Sequence, residues 1–228
     1  MLLDKLRAVG EPLGEYVKGK IYYGIKTGLN EAFVIDEEIR NRLIAEDPRS
    51  AELIKPFLVG RDIKRYQPPR SDRYLILVPN GWTREQSKGM NDSWGWFQKN
   101  YPVIASYLAP FAGVAQMRYD KGEYWWELRP CDYYAEFEKP KIIYPNICQK
   151  PEFTFDPIGL YTNQKCFIIS LPDKYLLGLL NSMLTFFLFC SILPKLRDNF
   201  YEPSFVYLKD FPIRPINFSD PADKARHD

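Results

Sequence analysis

The sequence predicts an α+β fold, with mixed, largely antiparallel β-sheets, flanking helices and one fully buried helix near residues 173–193. Strand-like and helix-like segments follow one another in the order β-β-α-α-β-α-β-β-β-α-β, which is mixed rather than alternating. Aromatic residues make up 16% of the 228 residues, which favours a β-rich core or aromatic-lined surfaces. Hydrophobic residues at 46% and charged residues at 26% are typical of a globular protein.

The first elements are short. Residues 1–17 have the pattern of a connector, because their apolar stripe at helical spacing is interrupted at residues 10–12 by Gly, Glu and Pro. Strands are predicted over residues 20–25 and 32–35, with a glycine-containing loop between them. Asp36 is predicted to cap the short helix that follows.

The middle of the chain changes from basic to apolar. Residues 55–73 contain six basic residues and two acidic ones and are predicted to be extended. Residues 73–79, RYLILVP, form a nearly continuous apolar run, which indicates a strand buried on both faces. Residues 80–100 are predicted to be a loop, and Pro102 is predicted to open a helix that runs to Phe111. Loop is predicted from there to about residue 139.

The C-terminal half contains the remaining predicted strands. Apolar runs predict strands over residues 141–144 and 166–170, with a hairpin around Gly159 between them. A last strand is predicted over residues 205–208. Residues 217–228 have the pattern of a helix start, with Asp at the cap and Pro at the first helical position, and we expect this helix to be truncated.

The apolar segment from Tyr175 to Leu193 has the length of a membrane span. Polar residues interrupt it, Asp173 can cap its start and Pro194 ends it. The sequence therefore favours a fully buried helix of a protein that lies in no membrane.

The composition excludes several classes of enzyme. His227 is the only histidine in the sequence, which excludes a Ser-His-Asp triad, a Cys-His pair and a histidine-based metal site. The four cysteines form no C-x-x-C pair and are too few for a disulfide scaffold, so reduced thiols in a cytoplasmic protein are expected. The net charge is only +2, so any basic binding site must be local.

Basic and amide side chains concentrate at predicted strand ends, around residues 139–150 and 163–165. Lys and Arg neutralise phosphate, while Asn and Gln can read adenine through two hydrogen bonds. This pattern suits a DNA-binding surface, although an ordinary solvated surface has a similar composition. Further basic residues lie in the loop after the first predicted strand and in the basic stretch 55–73. The candidate phosphate contacts from all of these regions are Lys26, Arg61, Lys64, Arg65, Lys141 and Lys165. The candidate base-reading or stacking residues are Asn30, Gln149, Asn163, Gln164 and Trp126.

Two other functions compete with DNA recognition. Asp62-Ile63-Lys64 has the D-x-K shape of metal-dependent nucleases, but Asp62 is equally suited to pair with a neighbouring arginine and order a basic loop. Exposed tryptophans at positions 82, 94 and 96 would instead suit a protein-interaction scaffold. No metal site is expected from the sequence.

Six stretches occur in a fixed order between about residues 20 and 215. They are GIKTGLNEAFVID (24–36), IKPFLVGRDIKRY (54–66), WWEL (125–128), KPKIIY (139–144), LGLLNS (177–182) and FPI (211–213). Together they resemble the TaqI-like C-terminal specificity domain of adenine-specific DNA methyltransferases and fused type II restriction-modification enzymes. The first two stretches are the most specific part of this resemblance.

The resemblance implies a DNA target-recognition domain over residues 18–216, with residues 1–17 connecting it to a missing N-terminal methyltransferase domain. The parent enzyme would use S-adenosylmethionine to methylate adenine, and this chain would hold no cofactor. The sequence lacks the Asn-Pro-Pro-Tyr-type motif of such catalytic domains, so no catalytic residue is expected here and the isolated chain is not expected to be an enzyme. The expected partners are double-stranded DNA and the methyltransferase domain.

Overall fold

The computed structural model describes residues 2–227. Its strands are β1 Glu11–Pro12, β2 Ile21–Tyr23, β3 Val34–Asp36, β4 Ile54–Leu58, β5 Arg73–Ile76, β6 Lys141–Pro145, β7 Thr154–Asp156, β8 Tyr161–Thr162, β9 Cys166–Ile169 and β10 Pro212–Ile213. Its α-helices are α1 Leu2–Val9, α2 Leu13–Tyr16, α3 Asn30–Phe33, α4 Glu37–Glu46, α5 Ser50–Leu53, α6 Trp82–Gln86, α7 Ser93–Asn100, α8 Pro102–Leu108, α9 Ala112–Met117, α10 Tyr134–Phe137, α11 Lys174–Leu180, α12 Met183–Ile192, α13 Phe205–Leu208 and α14 Pro221–His227. Short 3₁₀ turns cover Gly60–Asp62, Ala109–Phe111 and Arg197–Asn199.

The strands form three sheets within the described residues. One four-stranded sheet has the order β2-β9-β6-β7, a second has the order β3-β5-β4-β8, and β1 pairs with β10. All of these pairs are antiparallel except β4 with β8, in which Phe57 lies opposite Tyr161. The predicted α+β class with largely antiparallel sheets is therefore confirmed.

The sheet β2-β9-β6-β7 separates two hydrophobic cores. Successive side chains of a strand point to opposite faces, so Ile143 of β6 and Ile168 of β9 join the first core. Tyr144 and Phe167, the next residue in β6 and the preceding one in β9, join the second. Burial on both faces explains why these two strands are recognisable in the sequence as continuous apolar runs.

The N-terminal segment, predicted to be a connector, packs on the rest of the fold. β1 pairs with β10, with Glu11 opposite Ile213, and Leu13 and Val17 are buried in the second core. Residues 11–17 therefore belong to the folded unit. The preceding helix α1 has no fully buried residue, and its Leu3 and Leu6 pack partly buried against the second core.

The predicted single buried helix near residues 173–193 is wrong, since the structure has two helices, α11 and α12, at an angle of 56°. The side chain of Asn181 at the break exchanges two hydrogen bonds with the backbone of Phe153, at 3.0 and 2.9 Å. Ser182 then caps α12 by accepting a hydrogen bond from the Thr185 amide at 3.2 Å. Met183 is 74% exposed, so α12 also presents an apolar side to solvent.

No single helix within residues 2–227 has both the length and the apolar character that crossing a membrane requires. The bent pair α11 and α12 meets that requirement jointly, on length and composition alone.

Other differences concern short elements. Residues 205–208 form a helix, not a strand, because Phe205 and Leu208 are three residues apart and both pack on the second core. The predicted loop at 80–100 contains α6 and α7, and Asp92 caps α7 by accepting a hydrogen bond from the Gly95 amide at 2.8 Å. The predicted helix start at Pro221 is confirmed.

Candidate nucleic-acid interface

Three chain segments that are distant in sequence surround one open cavity of about 700 Å³, which we call the main cleft. They are residues 59–64 after β4, residues 145–152 after β6, and residues 163–165 between β8 and β9, with Arg73 and Phe200 at the sides. The register of β6 and β9 places Pro145 opposite Cys166, so the segments at these strand ends must meet. A hydrogen bond from the Asn146 amide to the Lys165 carbonyl, at 2.8 Å, extends that pairing into the cleft.

Asp62 orders the first wall of the main cleft. Its carboxylate accepts a hydrogen bond from the Val59 amide at 2.8 Å and forms an ion pair with Arg73 at 3.3 Å. Asp62 therefore has the structural role that the sequence offered as the alternative to a nuclease ligand. The described part of the chain contains no group of three or more His, Cys, Asp or Glu residues placed to hold a metal ion.

The main cleft is electropositive. Five basic side chains line it: Arg61, Lys64, Arg73, Lys150 and Lys165. Two of the five have acidic partners, because Lys64 lies 3.6 Å from Glu152 and Arg73 lies 3.3 Å from both Asp62 and Asp72. No ion pair within residues 2–227 neutralises the exposed Arg61, Lys150 or Lys165. An anion that enters the cleft therefore meets several uncompensated positive charges.

The turn at residues 163–165 is held tightly from both sides. The Asn163 side chain accepts a hydrogen bond from the Lys165 amide at 3.0 Å, and the Asn163 amide donates to the Leu58 carbonyl at 2.9 Å. Only glycine fits at position 24, because a Cβ there would lie 1.9 Å from the Asn163 carbonyl oxygen. We call residues 24–26 and 163–165 together the ridge.

A second cavity of about 570 Å³, the side cavity, adjoins the ridge. Residues 23–26, residues 129–134 and Gln164 line it. Its two basic side chains, Lys26 and Arg129, both reach Asp120, at 2.8 and 3.5 Å. The shared carboxylate therefore offsets part of the positive charge of these two side chains.

Three tyrosines, Tyr23, Tyr133 and Tyr134, also line the side cavity. Tyr133 stacks on Tyr22 with ring centroids 4.7 Å apart. Burial raises the pKa of Tyr133 to about 12, so its phenol keeps the proton at neutral pH. Burial likewise raises the pKa of the neighbouring Cys131 thiol, which disfavours its thiolate form.

The structure brings together seven of the eleven candidate contact residues. The main cleft contains Arg61, Lys64, Gln149, Asn163 and Lys165. The side cavity contains Lys26 and Gln164.

Two further candidates are exposed but line neither cavity. Arg65 follows the first wall of the main cleft, and its guanidinium lies 5.0 Å from the ring of Tyr66. The Asn30 side chain accepts a hydrogen bond from the Thr27 hydroxyl at 2.6 Å and shapes the local turn. Both remain predicted DNA contacts.

The assignments of Lys141 and Trp126 are wrong. Lys141 is fully buried and forms an ion pair with Asp156, and burial lowers the pKa of its ammonium group. Trp126 is 4% exposed, and its Nε1 donates a hydrogen bond to the Thr83 hydroxyl at 3.0 Å. Neither side chain is accessible to a ligand on the surface.

The tryptophans proposed for a scaffold function are not free surface groups. Trp82, Trp94 and Trp96 are partly buried and pack against the first core. The ring centroids of Trp94 and Trp126 are 4.8 Å apart, and those of Trp82 and Trp96 are 6.0 Å apart. These residues therefore build the core of the region that contains α6 and α7.

Sequence reasoning missed one wall of the main cleft. Phe200, from the loop that precedes α13, lines the cleft beside Gln149. The signal available in the sequence was the pair Asp198-Asn199, because Asp and Asn tolerate the left-handed backbone of a tight loop.

Comparisons with known proteins agree with this architecture. Among solved structures, the chain is similar to the type IIL restriction-modification enzyme MmeI, which was determined in complex with DNA. The TM-score is 0.55 at 16% identity, over 90% of this chain and 26% of the MmeI chain, so the likeness concerns the fold of about a quarter of that enzyme. No curated protein matches the chain. The model of the TaqI-like C-terminal specificity domain matches residues 55–213, and the chain therefore belongs to that family.

Proposed function

We propose that this chain is a DNA target-recognition module and that its main cleft holds the phosphate backbone of a double helix. The observation that carries the proposal is the convergence of three separate chain segments on one cleft with five basic side chains, of which Arg61, Lys150 and Lys165 have no acidic partner within residues 2–227. Phosphate contacts set the register of a protein on DNA, and base contacts select the sequence. The family's specificity role and the DNA complex of MmeI support this assignment.

The ridge divides the proposed interface into two parts. Arg61, Lys150 and Lys165 in the main cleft are free to neutralise phosphates. Lys26 and Arg129 in the side cavity share the carboxylate of Asp120, and both remain about half exposed to a neighbouring phosphate. A duplex lying across the ridge would contact both sets of cations.

We propose further that the module serves a restriction-modification enzyme whose separate domain methylates adenine with S-adenosylmethionine. An adenine inside a duplex must be flipped out before it can be methylated, which costs a few kcal/mol. A second module that grips the duplex and reads the site supports that step. On this account the partners of the chain are double-stranded DNA and the methyltransferase domain, and the cofactor binds outside this chain.

The test removes three cations of the main cleft together. We expect the triple change Arg61→Ala, Lys64→Ala and Lys165→Ala to weaken duplex binding to a similar extent for all sequences. The slope of log K against log salt should become shallower by about 0.9 for each phosphate that the variant no longer neutralises. Fluorescence anisotropy with labelled duplexes at several salt concentrations measures both quantities.

A matched control removes the same number of charges elsewhere. Arg42→Ala, Lys99→Ala and Lys174→Ala replace exposed residues that line neither cavity. This control should bind DNA almost as the unaltered chain does. An equal drop in affinity in the two triple variants would refute the assignment of the main cleft.

A further inference from the structure

The loop of residues 195–200, which we call the Arg197 loop, is a closed and ordered structure. Lys195 pairs with Tyr201 as an isolated bridge at its base. Within the loop, the Leu196 amide donates to the Phe200 carbonyl at 2.7 Å, and the Phe200 amide donates to the Arg197 carbonyl at 3.2 Å. The loop therefore has a defined shape that its own backbone maintains.

The tip of the Arg197 loop has an unusual backbone. Asp198 and Asn199 are consecutive non-glycine residues with left-handed φ angles of 55° and 58°. Such conformations are sparsely populated, and they persist where the surrounding structure determines them. Asp and Asn are the side chains that tolerate this region best, so the sequence is suited to this turn.

The Arg197 loop is fastened to the wall of the main cleft. Tyr201 and Cys148 exchange two backbone hydrogen bonds, at 3.1 and 2.8 Å. The Gln149 side chain donates a further hydrogen bond from Nε2 to the Asp198 carbonyl at 3.1 Å. Because Cys148, Gln149 and Phe200 all line the main cleft, the loop is a rigid extension of its rim.

The Arg197 loop exposes an arginine and an asparagine, two side chains that can form paired hydrogen bonds with base edges. Arg197 and Asn199 are exposed, and no hydrogen bond or ion pair within the described chain engages the Arg197 guanidinium. Arginine binds O6 and N7 of guanine through two hydrogen bonds, and asparagine binds N6 and N7 of adenine in the same way. A fixed backbone reduces the entropic cost of forming such a two-point interaction.

We infer that Arg197 is a specificity-determining residue that reads a guanine edge in the major groove, and that Gln149 positions its loop. The inference rests on the proposed function and assigns base reading to a loop outside the family stretches that the sequence displays. Phosphate binding and base recognition then belong to different residues of one interface. The cations of the main cleft bind phosphates of any sequence, and Arg197 selects one base pair.

The experiment selects binding sites from a pool of duplexes with a randomised centre, using the unaltered chain, Arg197→Ala, Arg197→Lys and Gln149→Ala. Arg42→Ala, an exposed arginine that lines neither cavity, is the control. The unaltered chain and the control should enrich one motif that contains a guanine. Arg197→Ala should lose discrimination at that guanine by about 10- to 100-fold, with little change in binding to unrelated duplexes.

Arg197→Lys tests base reading apart from charge, and Gln149→Ala tests it apart from a general loss of stability. Arg197→Lys keeps the charge but not the planar pair of donors, so it should discriminate less sharply than the unaltered chain at the same base pair. Gln149→Ala should weaken discrimination at that position, which general destabilisation would not do selectively. Recovery of the unaltered motif with both Arg197 variants, or a motif without guanine, would overturn the inference alone. Failure of the unaltered chain to retain any duplex would overturn the proposed function as well.

Discussion

Lys141 was predicted to contact phosphate, but the structure places its side chain in the interior of the protein. It stands in a basic stretch, yet its ammonium group is buried and contacts the carboxylate of Asp156 and the Phe137 carbonyl. Asp156 also accepts hydrogen bonds from the amides of Ile158 and Leu160, at 3.0 and 2.7 Å. A buried pair of this kind fixes the geometry of β6, β7 and the turn that follows, because neither charge is stable there alone.

We therefore expect Asp156→Ala to lower the free energy of unfolding by about 3–5 kcal/mol, since it leaves the Lys141 charge buried and unpaired. Lys139, two residues before Lys141, forms an exposed ion pair with Glu136. Lys139→Ala should therefore lower the free energy of unfolding by about 1 kcal/mol or less. Urea unfolding followed by circular dichroism measures both values. Similar costs for the two variants would show that the Lys141–Asp156 pair does not hold this turn.

The elements predicted best are those whose signals are local. Strands β5, β6 and β9 are buried on their apolar faces and appear as continuous runs in the sequence. The break between α11 and α12 depends on Asn181 reaching Phe153, 28 residues away, which no local pattern records. Prediction of the site has the same limit. The basic loops can be located in the sequence, but the burial of Lys141 and Trp126 depends on Asp156 and Thr83, which are distant in the sequence.

The ridge between the two cavities depends on the close approach of two segments at Gly24. Gly24→Ala would place a Cβ 1.9 Å from the Asn163 carbonyl oxygen, so the segments must separate. We expect this change to destabilise the chain by about 1–3 kcal/mol, as overpacking of a closed interior does. The midpoint of thermal unfolding reports the destabilisation.

Gly113→Ala is the matched control, because nothing lies within 4 Å of a Cβ at that position in helix α9. Alanine is the better helix former, so this variant should gain about 0.5–1 kcal/mol. Opposite signs for the two glycine replacements are the expected result. Equal stability of Gly24→Ala and the unaltered chain would show that the ridge is not closely packed.

At the scale of the whole molecule, one sheet organises both the stability and the proposed interface. β6 and β9 bury side chains in the two cores, while their ends deliver residues 145–152 and 163–165 to the main cleft. Residues 59–64 reach the same place because β4 pairs with β8, with Leu58 opposite Thr162. The position of the cleft is therefore set by strand register, and its cations lie on loops that the strand ends anchor.

The most direct test of the proposed interface is hydrogen–deuterium exchange of the unaltered chain with and without a duplex that it binds. Binding should slow exchange at residues 59–65, 145–152 and 163–165, three segments that are distant in sequence and adjacent in the fold. Exchange in helix α4, which lines neither cavity, should stay the same. Protection confined to other surfaces, with these three segments unchanged, would contradict the account.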